Sequence, residues 1–204
     1  PYYYEENKHL FTKYADKIIH KKIDLKTSPG WLYENEQRYR LTSFLKDMDL
    51  QDKDLILNSD LDEIPNFEVF SEHRGDFSFF NQLYCIYYAD LWSGKCVTGS
   101  CIVTWEALQN LDNRYNNMGL QALRNNKDEI NRIENGGWHW SYFSTPETIS
   151  QKSRSIAEGN SDPNNKKTSS EEIGKQRAQT VKTLSSPYSH RRLKKFSLEK
   201  PTAY

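Results

Sequence analysis

Apolar positions along this chain fall into short strand-like runs separated by polar stretches with helical spacing. Residues 5–15 (EENKHLFTKYA) space them as an amphipathic helix does, and residues 16–24 (DKIIHKKID) gather them as a short strand does. Ser28-Pro29-Gly30 predicts a loop. From Trp31 to Met48, apolar or aromatic residues at 31, 32, 41, 44, 45 and 48 stand among charges, which predicts a helix with one buried face. Asp54–Asn58 (DLILN) predicts a short buried strand that runs straight into Ser59-Asp60-Leu61-Asp62-Glu63-Ile64-Pro65.

Residues 77–88 and 96–105 are rich in Phe, Tyr and β-branched residues and predict a hairpin that turns at Ser93-Gly94. The polar stretch 106–132 predicts loop plus helix, and Gly136–Phe143 a turn feeding a strand. Residues 146–157 predict a helix, with Thr145 as N-cap and Pro146 in its first turn. A polar, mobile loop is expected at 158–170. Ser169-Ser170-Glu171-Glu172 then reads as a capping box that opens a helix to about Leu184, before a basic, irregular tail at 185–204. Strands alternating with helices predict an α/β fold in a single domain spanning 1–204.

Composition narrows the classes. A mean hydropathy of −0.90 and the lack of any run near the roughly 18 apolar residues of a membrane span predict no span. Pro1–Glu6 lacks the basic and apolar regions of a signal peptide, so a cytoplasmic location is expected. Basic and acidic residues number 28 each, which argues against a nucleic-acid binder with its usual basic surplus. The charges are nevertheless segregated. Asp47, Asp49, Asp52, Asp54, Asp60, Asp62 and Glu63 crowd the middle, and 166–200 is basic, a distribution suited to holding both a cation and phosphates. Three cysteines, Cys85, Cys96 and Cys101, form neither an even disulfide framework nor a zinc pattern, and are expected as free thiols.

The candidate chemistry lies in Asp60-x-Asp62, where the predicted strand 54–58 ends. Ligands of open α/β sheets bind at the carboxyl ends of strands. Two carboxylates one residue apart on a tight turn can offer oxygens to one hard divalent ion, commonly with substrate phosphates completing the shell. A Ca²⁺-binding EF-hand loop needs Gly at its sixth position, where this chain has Pro65. A haloacid-dehalogenase-type phosphatase motif is also a poor fit, because Ile64 follows Glu63 and the motif lies far from the N-terminus.

Three segments together carry a resemblance: Trp31–Arg38 (WLYENEQR), Asn58–Pro65 (NSDLDEIP) and Asn135–Phe143 (NGGWHWSYF). Their order and content are similar to glycosyltransferase family 17, which includes the enzyme that adds the bisecting N-acetylglucosamine to N-glycans, with bacterial and viral relatives; the chain reads as a bacterial or viral member. Tyr4–Lys8 and Lys152–Ala157 are also similar to family segments.

The resemblance implies a glycosyltransferase-A-type fold, a Rossmann-like mixed sheet flanked by helices. It implies inverting transfer of a sugar, usually N-acetylglucosamine, from a UDP-sugar donor to a glycan acceptor, with Mn²⁺ or Mg²⁺ as cofactor. Asp60 and Asp62 would hold the metal, completed by His139. Arg38, Lys152 or Arg154 would meet the diphosphate, with Glu34 and Ser59 on the donor side, and Trp31, Trp138 and Trp140 would wall a sugar pocket. The base for the acceptor hydroxyl would be Glu134, or else Glu63, which alternatively orients the metal pair.

The chain departs from the family in two places. The strand–helix–strand that usually precedes the segment matching Pro1–Lys8 is missing, so the N-terminal strand that cradles the uridine is expected to be absent. Ala157-Glu158-Gly159-Asn160 stands where relatives tend to carry Ala-His-x-Glu. A non-catalytic nucleotide- or glycan-binding remnant of the same fold, and a metal-dependent phosphatase or nuclease, are the competing readings.

Overall fold

The computed structural model describes residues 3–24, 31–115, 119–125, 131–155, 169–183 and 194–195. Strands β1 (Leu55–Asn58), β2 (Glu63–Pro65), β3 (Phe77–Ile86), β4 (Leu91–Thr104), β5 (Arg132–Ile133), β6 (Gly137–Ser141) and β7 (Lys194–Lys195) form one mixed sheet. Its order is β1-β4-β3-β6-β2, with β5 on β3 and β7 on β4. Only β5 and β6 run parallel to their neighbour β3; the other pairs are antiparallel. Helices α1 (Tyr3–Glu6), α2 (Trp31–Leu45), α3 (Trp105–Arg114), α4 (Gly119–Asn125), α5 (Pro146–Ser155) and α6 (Ser170–Thr183) accompany it. The fold is therefore mixed α/β, a mixed sheet flanked by helices.

Successive residues of the central strands are buried on opposite faces. Phe79, Cys101 and Val103 pack with Trp105 and Leu108 of α3 and with Leu120 and Leu123 of α4. Their neighbours Phe80 and Ile102 pack instead with Ile133, Leu57, Val69 and Phe70. Period-two alternation explains this, and a sheet covered on both faces reads as a continuous apolar run. Each such side chain contributes about 1.5–3 kcal/mol when fully buried. A third cluster joins Ile86, Tyr87 and Leu91 to Ile149 of α5 and Ile173 of α6.

Several expectations need correcting. The strand expected at 16–24 is absent. Lys8–Lys17 is a 3-10 helix, and 18–24 has no regular structure and is largely exposed. The hairpin turns at Tyr87–Asp90 rather than at Ser93-Gly94, which lie inside β4. There the register shifts, with Leu83 opposite Cys96 but Cys85 opposite Trp92, so Gly94, with φ of +76°, serves a bulge. The helix expected at 31–48 ends at Leu45, and its inward stripe is not apolar. Glu34, Arg38 and Thr42 lie at successive turns on that side, with Leu45 packed against the core, whereas Leu32 and Leu41 are exposed.

Other elements agree closely with the sequence reading. Thr145 Oγ1 accepts from Thr148 N at the start of α5, and Ser169 Oγ accepts from Glu172 N at the start of α6. All three thiols are free, Cys85 and Cys101 buried and Cys96 exposed. Among the described residues no helix is long and apolar enough to cross a membrane. The expected loops at 28–30 and 158–168, and the tail 185–204 apart from 194–195, lie outside the described residues.

Candidate active site

The acidic loop joins β1 to β2, and Gly136-Gly137 seats it. A Cβ on Gly136 would lie 2.7 Å from Asn81 N of β3, and one on Gly137 would lie 2.1 Å from Ile64 O of β2. Gly137 also takes φ of +114°. Only glycine lets β6 fit so closely between these strands. Glu63 then pairs with His139, and Trp140 N donates to Asp62 O at 2.8 Å. The loop is thereby tied to the strand that carries the imidazole.

Within the loop the two aspartates face different partners. Asp60 Oδ1 accepts from Arg38 Nη2 of α2 at 3.2 Å, and its Oδ2 accepts from Arg124 Nη2 of α4 at 2.8 Å. Arg38 is itself held by Glu34 and by Gln121 Oε1 at 3.0 Å. Asp62 Oδ2 instead accepts from Lys152 Nζ of α5 at 2.6 Å and faces His139 Nε2 at 3.7 Å, an electrostatic rather than hydrogen-bonding separation. Burial of Asp62 works against its charge. The His139 ring and the Lys152 ammonium outweigh that and hold the carboxyl well below the usual carboxylate range.

Glu63 lies beneath this pair, its side chain only 2% exposed. Its Oε2 accepts from Asp60 N at 3.0 Å, Ser100 Oγ at 3.2 Å and Arg124 Nη1 at 3.4 Å, and its Oε1 from Arg124 Nη2 at 3.3 Å. Gln82 and Ser59 extend the network. Ser100 N donates to Gln82 Oε1 at 3.2 Å, the Ser59 and Ser100 hydroxyls lie 2.7 Å apart, and Ser59 Oγ donates to Glu63 O at 2.9 Å. A buried carboxylate that satisfies this many donors orients its neighbours and is closed to a substrate hydroxyl. Glu63 and Ser59 thus shape the loop from within.

Not every candidate joins the cluster. Glu134 is exposed in the turn between β5 and β6, where it accepts from Asn81 Nδ2 at 2.7 Å. It lies six residues before Trp140, the residue paired with Asp62, and so at the other end of β6. Arg154 is exposed on α5. Trp138 and Trp140 share a face of β6, with ring centroids 6.4 Å apart, and Trp140 continues to Phe143 at 5.6 Å. Strand periodicity puts His139 on the opposite face, where Tyr84 meets its ring edge-on at 5.3 Å. Trp31 opens α2, and its side chain lies outside what is described.

Arg124 is the residue that sequence reasoning missed. It is one arginine in a polar stretch whose helix was only loosely expected, and nothing local marks it. Its partners, Asp60 and the buried Glu63, lie more than 60 residues away in sequence.

In total, three loop carboxylates meet Arg38, Arg124, Lys152 and His139 where β1 ends. Among the described residues no group of three or more His, Cys, Asp and Glu is gathered for a metal ion. Asp62 and His139 are the two donors that face one another. Mn²⁺ and Mg²⁺ commonly take one or two protein ligands and fill the remainder with water and phosphate oxygens, so this pair suits the protein share of such a shell.

Residues 1–85 match the family model for glycosyltransferase family 17, a span that runs through α2, β1 and the acidic loop into β3. The protein is a glycosyltransferase, an enzyme that moves a sugar from a donor to an acceptor. Over that span, which is under half of the chain, it is similar to glycosyltransferase family 17. No curated protein and no solved structure matches the chain.

Proposed function

We propose that the chain carries out metal-dependent, inverting transfer of a sugar, N-acetylglucosamine in the first instance, from a UDP-linked donor to a glycan. The observation that carries this reading is the approach of Asp62, just before β2, to His139 of β6, beside Lys152. Asp62 and His139 would hold Mn²⁺ or Mg²⁺, which when bound offsets the charge that develops on the departing diphosphate. A glycosyltransferase-A-type arrangement of the sheet belongs to the same reading.

The chain's own residues have separable tasks. Lys152 and Arg38 supply positive charge toward the phosphates, Arg through its planar fork and Lys as a point charge. Glu63 and Arg124 fix Asp60, so the loop is preorganised before the donor arrives. Trp140 and Phe143, whose tilted rings lie 5.6 Å apart, offer apolar faces to a sugar ring. Glu63, being enclosed, acts on position and not on the acceptor proton.

Calorimetric titration of UDP, with and without Mn²⁺, tests the reading on the wild type and Asp62→Ala. Binding that requires both Mn²⁺ and Asp62 supports it and justifies a screen of UDP-sugars for transfer. Equal UDP binding by Asp62→Ala would show that the donor is not held through this loop.

A further inference from the structure

Lys152 holds the carboxylate oxygen that a metal ion would need. Its Nζ is 2.6 Å from Asp62 Oδ2, the same oxygen that His139 Nε2 faces at 3.7 Å. An ion seated between that carboxylate oxygen and the imidazole would be a short coordination distance from Oδ2. The ammonium and the ion would then share one oxygen and lie within about 5 Å of each other, and two cations that close repel one another in a partly buried site. One must leave.

Lysine is the cation able to move. Its side chain is 41% exposed, on a long flexible stem, and its Nζ already lies 5.8 Å from the centroid of the Tyr142 ring, to one side of the carboxylate. Asp60 cannot relieve the conflict by lending its carboxylate, because Arg38 and Arg124 hold both of its oxygens. The donor's diphosphate would bring the negative charge that the displaced ammonium requires.

We propose that Lys152 is a stand-in cation that holds Asp62 until a divalent ion binds, then moves to the donor's phosphates, so that metal and diphosphate bind cooperatively. This rests on the reading of Asp62 and His139 as metal ligands. Displacing the lysine weakens the binding of metal alone. Diphosphate, by accepting the lysine, removes that penalty, and by linkage each ligand strengthens the other by the same factor.

Mn²⁺ affinity, measured by calorimetry with and without UDP, tests the proposal without any turnover. In the wild type UDP should strengthen Mn²⁺ binding by a factor in the usual coupling range of roughly 5–150. Lys152→Met should bind Mn²⁺ alone about tenfold more tightly than the wild type, and UDP should add several-fold less. Lys95→Met removes another ammonium, one that sits 5.0 Å over the Tyr84 ring, and controls for general loss of charge. It should change Mn²⁺ affinity by no more than about twofold, as a screened surface charge does. The proposal is overturned if Lys152→Met gains no Mn²⁺ affinity, or if Lys95→Met gains as much. Mn²⁺ binding that survives in Asp62→Asn would instead overturn the metal-site reading, and with it the proposal.

Discussion

Arg124 Nη2 lies 2.8 Å from Asp60 Oδ2 and 3.3 Å from Glu63 Oε1, so one guanidinium from α4 spans the first aspartate of the acidic loop and the glutamate buried beneath it. The side chains of Arg124 and Glu63 are 16% and 2% exposed. The loop is therefore a salt-bridged structure clamped from α2 and α4, and only Asp62 is directed toward His139 and Lys152.

Removing the clamp should be costly. Arg124→Ala leaves Glu63 buried without its counter-charge, and breaking such a pair from one side costs about 3 kcal/mol. Urea denaturation should show a midpoint shift of that size, and Glu63→Gln in the same background should recover part of it. A change below about 0.5 kcal/mol, the level of an ordinary surface substitution, would show that the pair contributes little.

Gly137→Ala should damage the site without touching a charged group. The new Cβ would lie 2.1 Å from Ile64 O at a φ of +114°. Strain and lost β2–β6 pairing together should cost about 3 kcal/mol or more. Thermal melting measures the loss, and retention of the wild-type Tm would mean that β6 does not run so tightly against β2.

Transfer should respond differently to His139 within β6 and Glu134 in the turn before it. His139→Ala should lower kcat/KM by about 10²-fold or more, the scale of losing a group that orients or neutralises at the reacting centre. Glu134→Gln should change it less than about threefold, because a general base worth 10²–10⁴ must lie within hydrogen-bond reach of its proton. A large loss in Glu134→Gln would bring the β5–β6 turn into the site.

The thiols give a pH-dependent test. Burial pushes Cys85 and Cys101 up to about 12, with Asp90 adding to the rise at Cys85; burial also raises the exposed-edge thiol Cys96. In the unfolded chain a thiol ionises near 8.5. A group whose folded value is raised stabilises the fold fully below its unfolded value. Stability should therefore fall as pH rises from about 8.5 toward 12. Iodoacetamide at pH 8 should modify Cys96 alone in the native protein and all three cysteines after denaturation. Mass spectrometry of native protein alkylated at Cys101 would contradict the buried placement.

The local grammar of several elements was legible. DLILN predicted a short buried strand because an apolar run ends at a turn; the strand is Leu55–Asn58, but it ends the main sheet path and only Asn58 is fully buried, with Leu55 53% exposed. The caps of α5 and α6 were readable because a hydroxyl that accepts from an amide three residues on is a contact within one turn. The separation of His139 from Trp138 and Trp140 was readable as well, since period two requires it once the segment is a strand. The strand expected at 16–24 failed because strand structure needs a partner, and no sequence window contains one. The turn at Tyr87–Asp90 was missed because Ser93-Gly94 carries the stronger turn signal, and the chain uses that signal for a bulge.

By itself, then, the sequence determined the helices and strands that close through local contacts, the Asp60-Leu61-Asp62 loop at the end of β1, and the glycines at 136 and 137 that bring β6 beside β2. Tertiary structure alone decided that Arg38 and Arg124 take Asp60, that Lys152 and His139 take Asp62, and that Glu63 is enclosed. The reason is physical: a hydrogen bond between residues three apart is set by backbone geometry, whereas an ion pair between residues 64 or 90 apart exists only where the packed sheet and helices bring its partners together.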